Sequence, residues 1–358
     1  MLPTCLRLLV PTSILLLAQP LVAADSAVVL MYHRFGEDSE PSTNIRVEQL
    51  EAQLKHLREG GYTVVPLSDL VEALNGGGSL PPRAVVITVD DAYRSVYDVA
   101  FPRFKASGLP FTVFVATDPV DQGLPDYMTW DQMREMAAGG AAYANHGASH
   151  DSLIERRAGE DDAVWLARVR ADVEQGWRRL SEELDPLPGV FAYPYGEYDS
   201  PVAKMIRDMG YLAFGQQSGA VGPGSDGRAL PRFPMAEAFG GLSEFRTKVA
   251  SLPLPVVAVE PWDPVVWTTQ PRIEVILGDA EAKLSDLACY VSGQGAVEVE
   301  WLTPAKRFSV GPSKPFDEGR HRVNCTAPRD DGRYVWFSHP WIIRHIKDRR
   351  HADHHDRR

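Results

Sequence analysis

At 358 residues, 44% of them hydrophobic, the chain carries enough apolar material for one large domain and a smaller one. A formal net charge of −11 and an isoelectric point near 5.4 exclude the excess of lysine and arginine that a phosphate backbone selects, so no nucleic-acid partner is expected. The remaining inferences come from the order of elements along the chain.

At the N-terminus Arg7 precedes an apolar stretch from Leu8 to Leu17, and Leu21-Val22-Ala23-Ala24 offers the small residues of a cleavage site. Residues 1–24 read as a signal peptide, which makes the mature chain exported, periplasmic or extracellular. The stretch is shorter than the ~20 residues of a spanning helix, so no stable membrane span is expected. Without this segment the cysteines reduce to Cys289 and Cys325, an even pair that favours one disulfide in an oxidising compartment.

From residue 26 onward strand-like runs alternate with helical patterns. Val28 to Tyr32 precedes a helix with Val47, Leu50, Leu54 and Leu57 on one face, stopped at Gly60-Gly61. Val85 to Val89 leads to a helix near Ser95 to Ser107, and Phe111 to Ala116 is the next strand. Thr129 with Gln132 has capping-box spacing. A long charged helix spans roughly Asp161 to Leu184, Val190 to Tyr193 is a strand, and Ser200-Pro201 reads as an N-cap followed by proline. Repeated βα units imply parallel strands, hence a barrel or a doubly wound sheet. A barrel suits functional groups drawn from many strand ends.

The pattern changes at Ser251, where prolines recur at 253, 255, 261 and 264 and helical periodicity stops, so residues 251–262 are expected to be a linker. Residues 263–344 show short runs, Arg272 to Leu277, Ala288 to Val291, Val297 to Trp301 and Tyr334 to Phe337, between Gly, Asp and Ser, the pattern of a small all-β sandwich stapled by Cys289 and Cys325. The charged tail 345–358, with His351, His354 and His355, is expected to be disordered.

Three stretches place chemistry where strands end: Val89-Asp90-Asp91, Asn145 to His150 with His146 and His150, and Ala192-Tyr193-Pro194-Tyr195-Gly196. Tyr32-His33 sits the same way after the first strand. Two imidazoles and one carboxylate leave open positions on a divalent ion that activates water, so Asp91, His146 and His150 are the candidate ligands. Side chains alternate in a strand, so Asp90 points away from Asp91 and is the candidate general base. Each piece alone is weak, since Asp-Asp is commonly a turn or cap and Pro-Tyr-Gly a common turn; their joint order carries the inference.

Thr88-Val89-Asp90-Asp91, His146-Gly147-Ala148-Ser149-His150 and Ala192-Tyr193-Pro194-Tyr195 resemble the T-F-D-D, H-[ST]-x-x-H and R-x-P-Y motifs of the polysaccharide deacetylases, the NodB-homology or carbohydrate esterase family 4 enzymes. The resemblance covers roughly residues 26–250 and implies a distorted (β/α) barrel domain ahead of the β-sandwich. It implies Asp90 as catalytic base, Asp91, His146 and His150 as metal ligands, and the backbone N–H at Tyr195 as oxyanion donor. No L-x-H-like element occurs around 230–250. His33 is therefore expected to be the general acid, as in the subgroup resembling poly-β-1,6-N-acetylglucosamine deacetylases, and Arg232 looks similar to the arginine that orients the base there. A surface arginine in a proline-rich loop is the competing reading of Arg232.

Tyr127 and Trp130 are candidate substrate contacts by stacking on sugar rings, as is Pro194 of the third motif, although core packing accounts for Trp130 equally well. Gly147 in place of Ser or Thr, Tyr193 before the proline, and the missing arginine depart from the family pattern. The implied activity is metal-dependent hydrolysis of N-acetyl groups from an N-acetylglucosamine-containing envelope or exopolysaccharide by a monomer, with zinc first and cobalt, nickel or iron compatible. The alternatives are hydrolysis of a non-sugar amide and a degenerate carbohydrate-binding protein. Polymer, linkage and metal do not follow from the sequence.

Overall fold

The computed structural model describes residues 25–344, so the expected signal peptide and charged tail lie outside the described residues. Largely apolar runs, buried throughout except at Ala142, form parallel strands covered on both faces. These are β1 (Ala27–Tyr32), β2 (Ala84–Asp90), β3 (Phe111–Val115), β4 (Ala141–Asn145), β5 (Val190–Ala192) and β6 (Leu212–Phe214). They pair in chain order, each parallel to the next. The segment 230–234 then reaches both edges. Leu230 bridges Phe214 of β6, and Phe233-Pro234 pairs in parallel with Leu30-Met31 of β1. The sheet therefore curls into a barrel-like form, and the carboxyl ends of its strands lie on one rim.

Eight helices accompany the strands among the described residues: α1 (Val47–Glu59), α2 (Leu67–Leu74), α3 (Phe101–Ala106), α4 (Thr117–Asp121), α5 (Trp130–Ala138), α6 (Asp162–Glu183), α7 (Ser200–Asp208) and α8 (Leu242–Ala250). Leu50, Leu54 and Leu57 bury the inner face of α1, and the Thr129–Gln132 capping box forms as expected. The expected helix 95–107 is instead a π-helical turn at Val96–Ala100 that passes into α3, with Pro102 in its first turn. Asp199, not Ser200, caps α7 by accepting from the Val202 amide at 2.9 Å; the carboxylate takes the cap one position earlier and moves Pro201 from N1 to N2.

The expected linker is not a linker. Leu252–Pro253 pairs with Val335-Trp336, and β7 (Val256–Glu260) pairs with β8 (Ile273–Leu277). Pro253 is tolerated on an edge strand, and Pro255 and Pro261 flank β7 without interrupting it, so the recurring prolines did not mark irregular chain. The other C-terminal strands are the short Val265–Val266, which pairs with Ile342-Ile343, and β9 (Ala288–Val291), β10 (Gly295–Val297), β11 (Glu300–Thr303), β12 (Arg307–Val310), β13 (Gly319–Pro328) and β14 (Tyr334–Ile343). A six-stranded and a four-stranded sheet share one apolar core, to which Val275 and Phe308 contribute from the smaller sheet and Val323, Ala327 and Trp341 from the larger. Cys289 and Cys325 are bonded and directly opposed on β9 and β13, so the disulfide joins neighbouring strands of one sheet.

Candidate active site

Asp90 ends β2, Asn145 ends β4, Ala192 ends β5 and Tyr32 ends β1, so the residues just beyond them meet on the rim. Asp91 Oδ1 lies 3.2 Å from His146 Nε2 and 2.9 Å from His150 Nε2. That buried oxygen nevertheless has no hydrogen-bond partner of acceptable geometry. One donor atom from each of the three residues falls within 4.8 Å of the others. One carboxylate oxygen and two imidazole nitrogens this close together could share a point where a divalent ion would fit. His146 Nδ1 is 2.7 Å from the Ala192 carbonyl; donating there leaves the Nε2 lone pair for the shared point. Burial would raise the Asp91 pKa, but His146 and His150 outweigh it and hold the carboxyl well below the usual range.

Asp90 is the last residue of β2 and has partners of its own, because the chain leaves the strand at Asp91 with φ +74. Its two oxygens accept from Arg232 Nη1 and Nη2 at 2.6 and 2.7 Å, and both residues are fully buried. Burial pushes the Asp90 pKa up, but the Arg232 charge and its hydrogen bonds, with His146 and His33, bring it below the ordinary value. Arg232 is fixed in turn by the Gly215 carbonyl and the Thr88 hydroxyl, at 3.0 and 3.2 Å. The reading of Arg232 as a surface residue is thereby excluded. His33 Nε2 stands 3.9 Å from Asp90 Oδ2, and burial lowers its pKa against the pull of Asp91 and Asp90.

Four of the six non-glycine residues with positive φ among the described residues sit here: Asp91, Ala92, His150 and Tyr195. Such conformations cost about 1–3 kcal/mol each and persist where the surroundings impose them. The Tyr195 ring packs edge-on against His150 with centroids 4.7 Å apart.

The cleft over these groups has a volume of about 400 Å³ and is lined by His33, Asp91, His150, Tyr93, Tyr127 and Tyr195, among others. Tyr127 lies beside Tyr93, with ring centroids 5.0 Å apart. Trp130 is not among the lining residues. Its indole donates to Asp121 at 2.8 Å, and Arg179 lies over its ring. Pro194 is buried and shapes the turn that projects Tyr195 instead of lining the cleft.

Sequence reasoning missed the support of the His146–His150 loop. Asp172 on α6 accepts from the Ala148 and Ser149 amides at 3.1 and 2.9 Å. Gly147 has φ +80, and an added Cβ would meet Asp172 Oδ2 at 2.6 Å. Gly176 brings α6 close, since a Cβ there would meet the Gly147 carbonyl at 2.5 Å. The departure at Gly147 is thus matched by a helix-borne carboxylate that supports the loop. Tyr193, the second departure, is buried with its hydroxyl donating to the Arg228 carbonyl at 2.8 Å.

Residues 77–214 match the polysaccharide deacetylase family. The chain is 27% identical over 261 residues to the poly-beta-1,6-N-acetyl-D-glucosamine N-deacetylase of Escherichia coli K12, covering 63% of this chain and 38% of that relative. The enzyme of the same name from Staphylococcus aureus MRSA252 is 24% identical, covering 60% and 80%. Among solved structures, IcaB from Ammonifex degensii superposes with a TM-score of 0.55 at 27% identity, over 63% of this chain and 98% of that one. The Streptococcus pyogenes deacetylase PplD gives a TM-score of 0.56 at 20% identity, over 63% and 98%, a likeness of fold. The chain spans little more than a third of the length of the E. coli relative. On this geometry and these matches, the chain carries a polysaccharide deacetylase domain of the NodB-homology, carbohydrate esterase family 4 type.

Proposed function

We propose that the chain is a metal-dependent N-deacetylase that releases acetate from N-acetylglucosamine units of a poly-β-1,6-linked polysaccharide. The observation that carries this is the convergence of Asp91, His146 and His150 beside a buried Asp90–Arg232 pair with His33 across from it. A divalent ion, zinc first, held by the three ligands would supply Lewis acidity to the acetamide carbonyl and to a water. Asp90, kept anionic by Arg232, takes the proton from that water. His33 protonates the departing sugar amine, and the Tyr195 backbone N–H holds the developing oxyanion. Tyr127 with Tyr93 offers an aromatic wall for a sugar ring.

The two C-terminal sheets are read as a β-sandwich domain that borders the cleft. No helix among the described residues is long and apolar enough to cross a membrane, and the apolar segment near the N-terminus supports an exported enzyme. Acetate release from β-1,6- and β-1,4-linked N-acetylglucosamine oligomers, with chelator and with Zn²⁺ or Co²⁺ restored, tests the proposal. Chelator-sensitive release, greater on the β-1,6 oligomer, is expected. Silence of the metal-loaded protein on every oligomer contradicts it and moves the assignment to a non-sugar amide or a binding role.

A further inference from the structure

Strand β13 runs along the mouth of the cleft with alternate side chains on opposite faces. Val323, Cys325 and Ala327 are fully buried in the core between the C-terminal sheets. Arg320, Arg322 and Asn324 face the barrel. Asn324 accepts from the Ser218 hydroxyl at 2.7 Å, which pins the strand there. Arg320 donates to the Tyr195 carbonyl at 2.8 Å, with its Nε 3.6 Å from Glu197. Arg322 lies 5.7 Å from the centre of the Phe239 ring, and among the described residues its guanidinium has neither a carboxylate partner nor a hydrogen-bond acceptor.

Both arginines line the catalytic cleft, and both line an adjoining pocket of about 280 Å³ with Ser292, His321 and Trp341. Tyr195 and Gln216 border the two, so one groove leads from the Asp91–His146–His150 cluster onto the C-terminal sheets. A half-buried guanidinium without an anion is costly, and a second cation two residues away adds to the cost. Burial and then Arg320 push the Arg322 pKa down, although a guanidinium stays charged at neutral pH. A chain of net charge −11 thus sets beside its proposed reaction centre one cation without a carboxylate partner, Arg322, and next to it a second, Arg320, whose carboxylate contact is Glu197 at 3.6 Å.

We infer that Arg320 and Arg322 form an anion subsite, which binds a carboxylate or phosphate substituent on a sugar next to the one being deacetylated. The inference rests on the deacetylase reading for the polymer, but not for the anion. It is tested with matched N-acetylglucosamine oligomers, neutral, carboxylate-bearing and phosphate-bearing, at low and high salt. The proteins are wild type, Arg322→Gln, Arg322→Lys and the Arg320→Gln, Arg322→Gln double variant, with thermal unfolding as the folding control.

Wild type is expected to prefer one acidic oligomer by roughly 10- to 100-fold in kcat/KM, the range of charge-assisted hydrogen bonds. The effect should lie mainly in KM and weaken with salt. Arg322→Gln should bring the ratio toward one and Arg322→Lys should keep part of it, while the better acidic oligomer identifies the anion. Deacetylation of the neutral oligomer with no acidic preference overturns the subsite and leaves the deacetylase standing. No acetate from any oligomer overturns the deacetylase reading. Calorimetry on wild type in chelator then decides the subsite: acidic-oligomer binding that Arg322→Gln abolishes upholds it, and absence of such binding overturns it.

Discussion

Around the cleft Asp90, Arg232, Thr88 and His146 are as buried as the valines behind them, whereas the core between the C-terminal sheets is filled by Val275, Phe308, Val323 and Trp341 and bordered by a disulfide between adjacent strands of one sheet. In the first region each of these four buried polar groups is held by a named partner, and removing one strands another. In the second, stability comes from apolar area and a covalent link, and no single side chain orients a reacting atom. Changes in the barrel should therefore alter chemistry and stability together, and changes in the C-terminal core stability alone.

The largest expected effects test that contrast at the catalytic groups. Asp90→Asn should lower acetate release by about 10²–10⁴-fold, the usual contribution of a general base, with the protein still binding its metal. His146→Ala should lose activity and metal together, as read by metal analysis after dialysis. Full activity in Asp90→Asn would remove the residue from its assigned role. Arg232→Met leaves Asp90 buried without its partner, which costs about 3–5 kcal/mol, measured by denaturant unfolding. Arg232→Lys should restore little, because an ammonium cannot reproduce the two-pronged contact.

The C-terminal counterpart is the Cys289→Ala, Cys325→Ala double variant. With the cysteines 36 positions apart in sequence, the chain-entropy model gives a loss of about 3–4 kcal/mol. Acetate release at 25 °C should remain near wild type while the unfolding midpoint drops; an equal loss of both would erase the contrast.

The smallest effect lies where the two regions meet, at Asp199. Burial, and then Asp263, push its pKa to about 6. The folded chain therefore holds a proton that the unfolded chain has released between pH ~4 and ~6. Stability falls as pH rises through that window, and the full cost stands above it. Asp199→Asn keeps the cap and should flatten this slope, with a gain of about 1 kcal/mol at pH 7. An unchanged stability–pH curve would count against the buried charge.

Much of the site was legible because its chemistry uses few residue types at strand ends. Asp90, Asp91, His146, His150 and His33 each lie at or just beyond the end of a strand-like apolar run. Arg232 was legible as a residue but not as a buried one, since its burial depends on segment 230–234 closing the sheet. Asp172 sits among many charges on α6, and only the close approach at Gly176 turns it toward the loop. Arg320 and Arg322 belong to a strand that the short-run pattern did not reveal, and which surface its polar face meets is a tertiary fact. Trp130 and Pro194 were drawn to the site by residue type, but an indole held by Asp121 and a proline under a turn have other work. The strands at 252–253 and 256–260 were hidden by the prolines on and beside them. Val297 to Trp301, one run by composition, divides between β10 and β11 in different sheets.

The strap that joins the last barrel strand to the first also carries Arg232. Its pairing of Leu30 with Phe233 links positions 203 apart in the chain, the kind of long-range contact that forms late in folding because of its loop-closure entropy. Until it forms, Asp90 lacks the partner that fixes its carboxylate in place. On the proposed function a nascent or partly assembled chain should be hydrolytically silent, and the appearance of acetate-releasing activity during refolding should mark barrel closure rather than collapse.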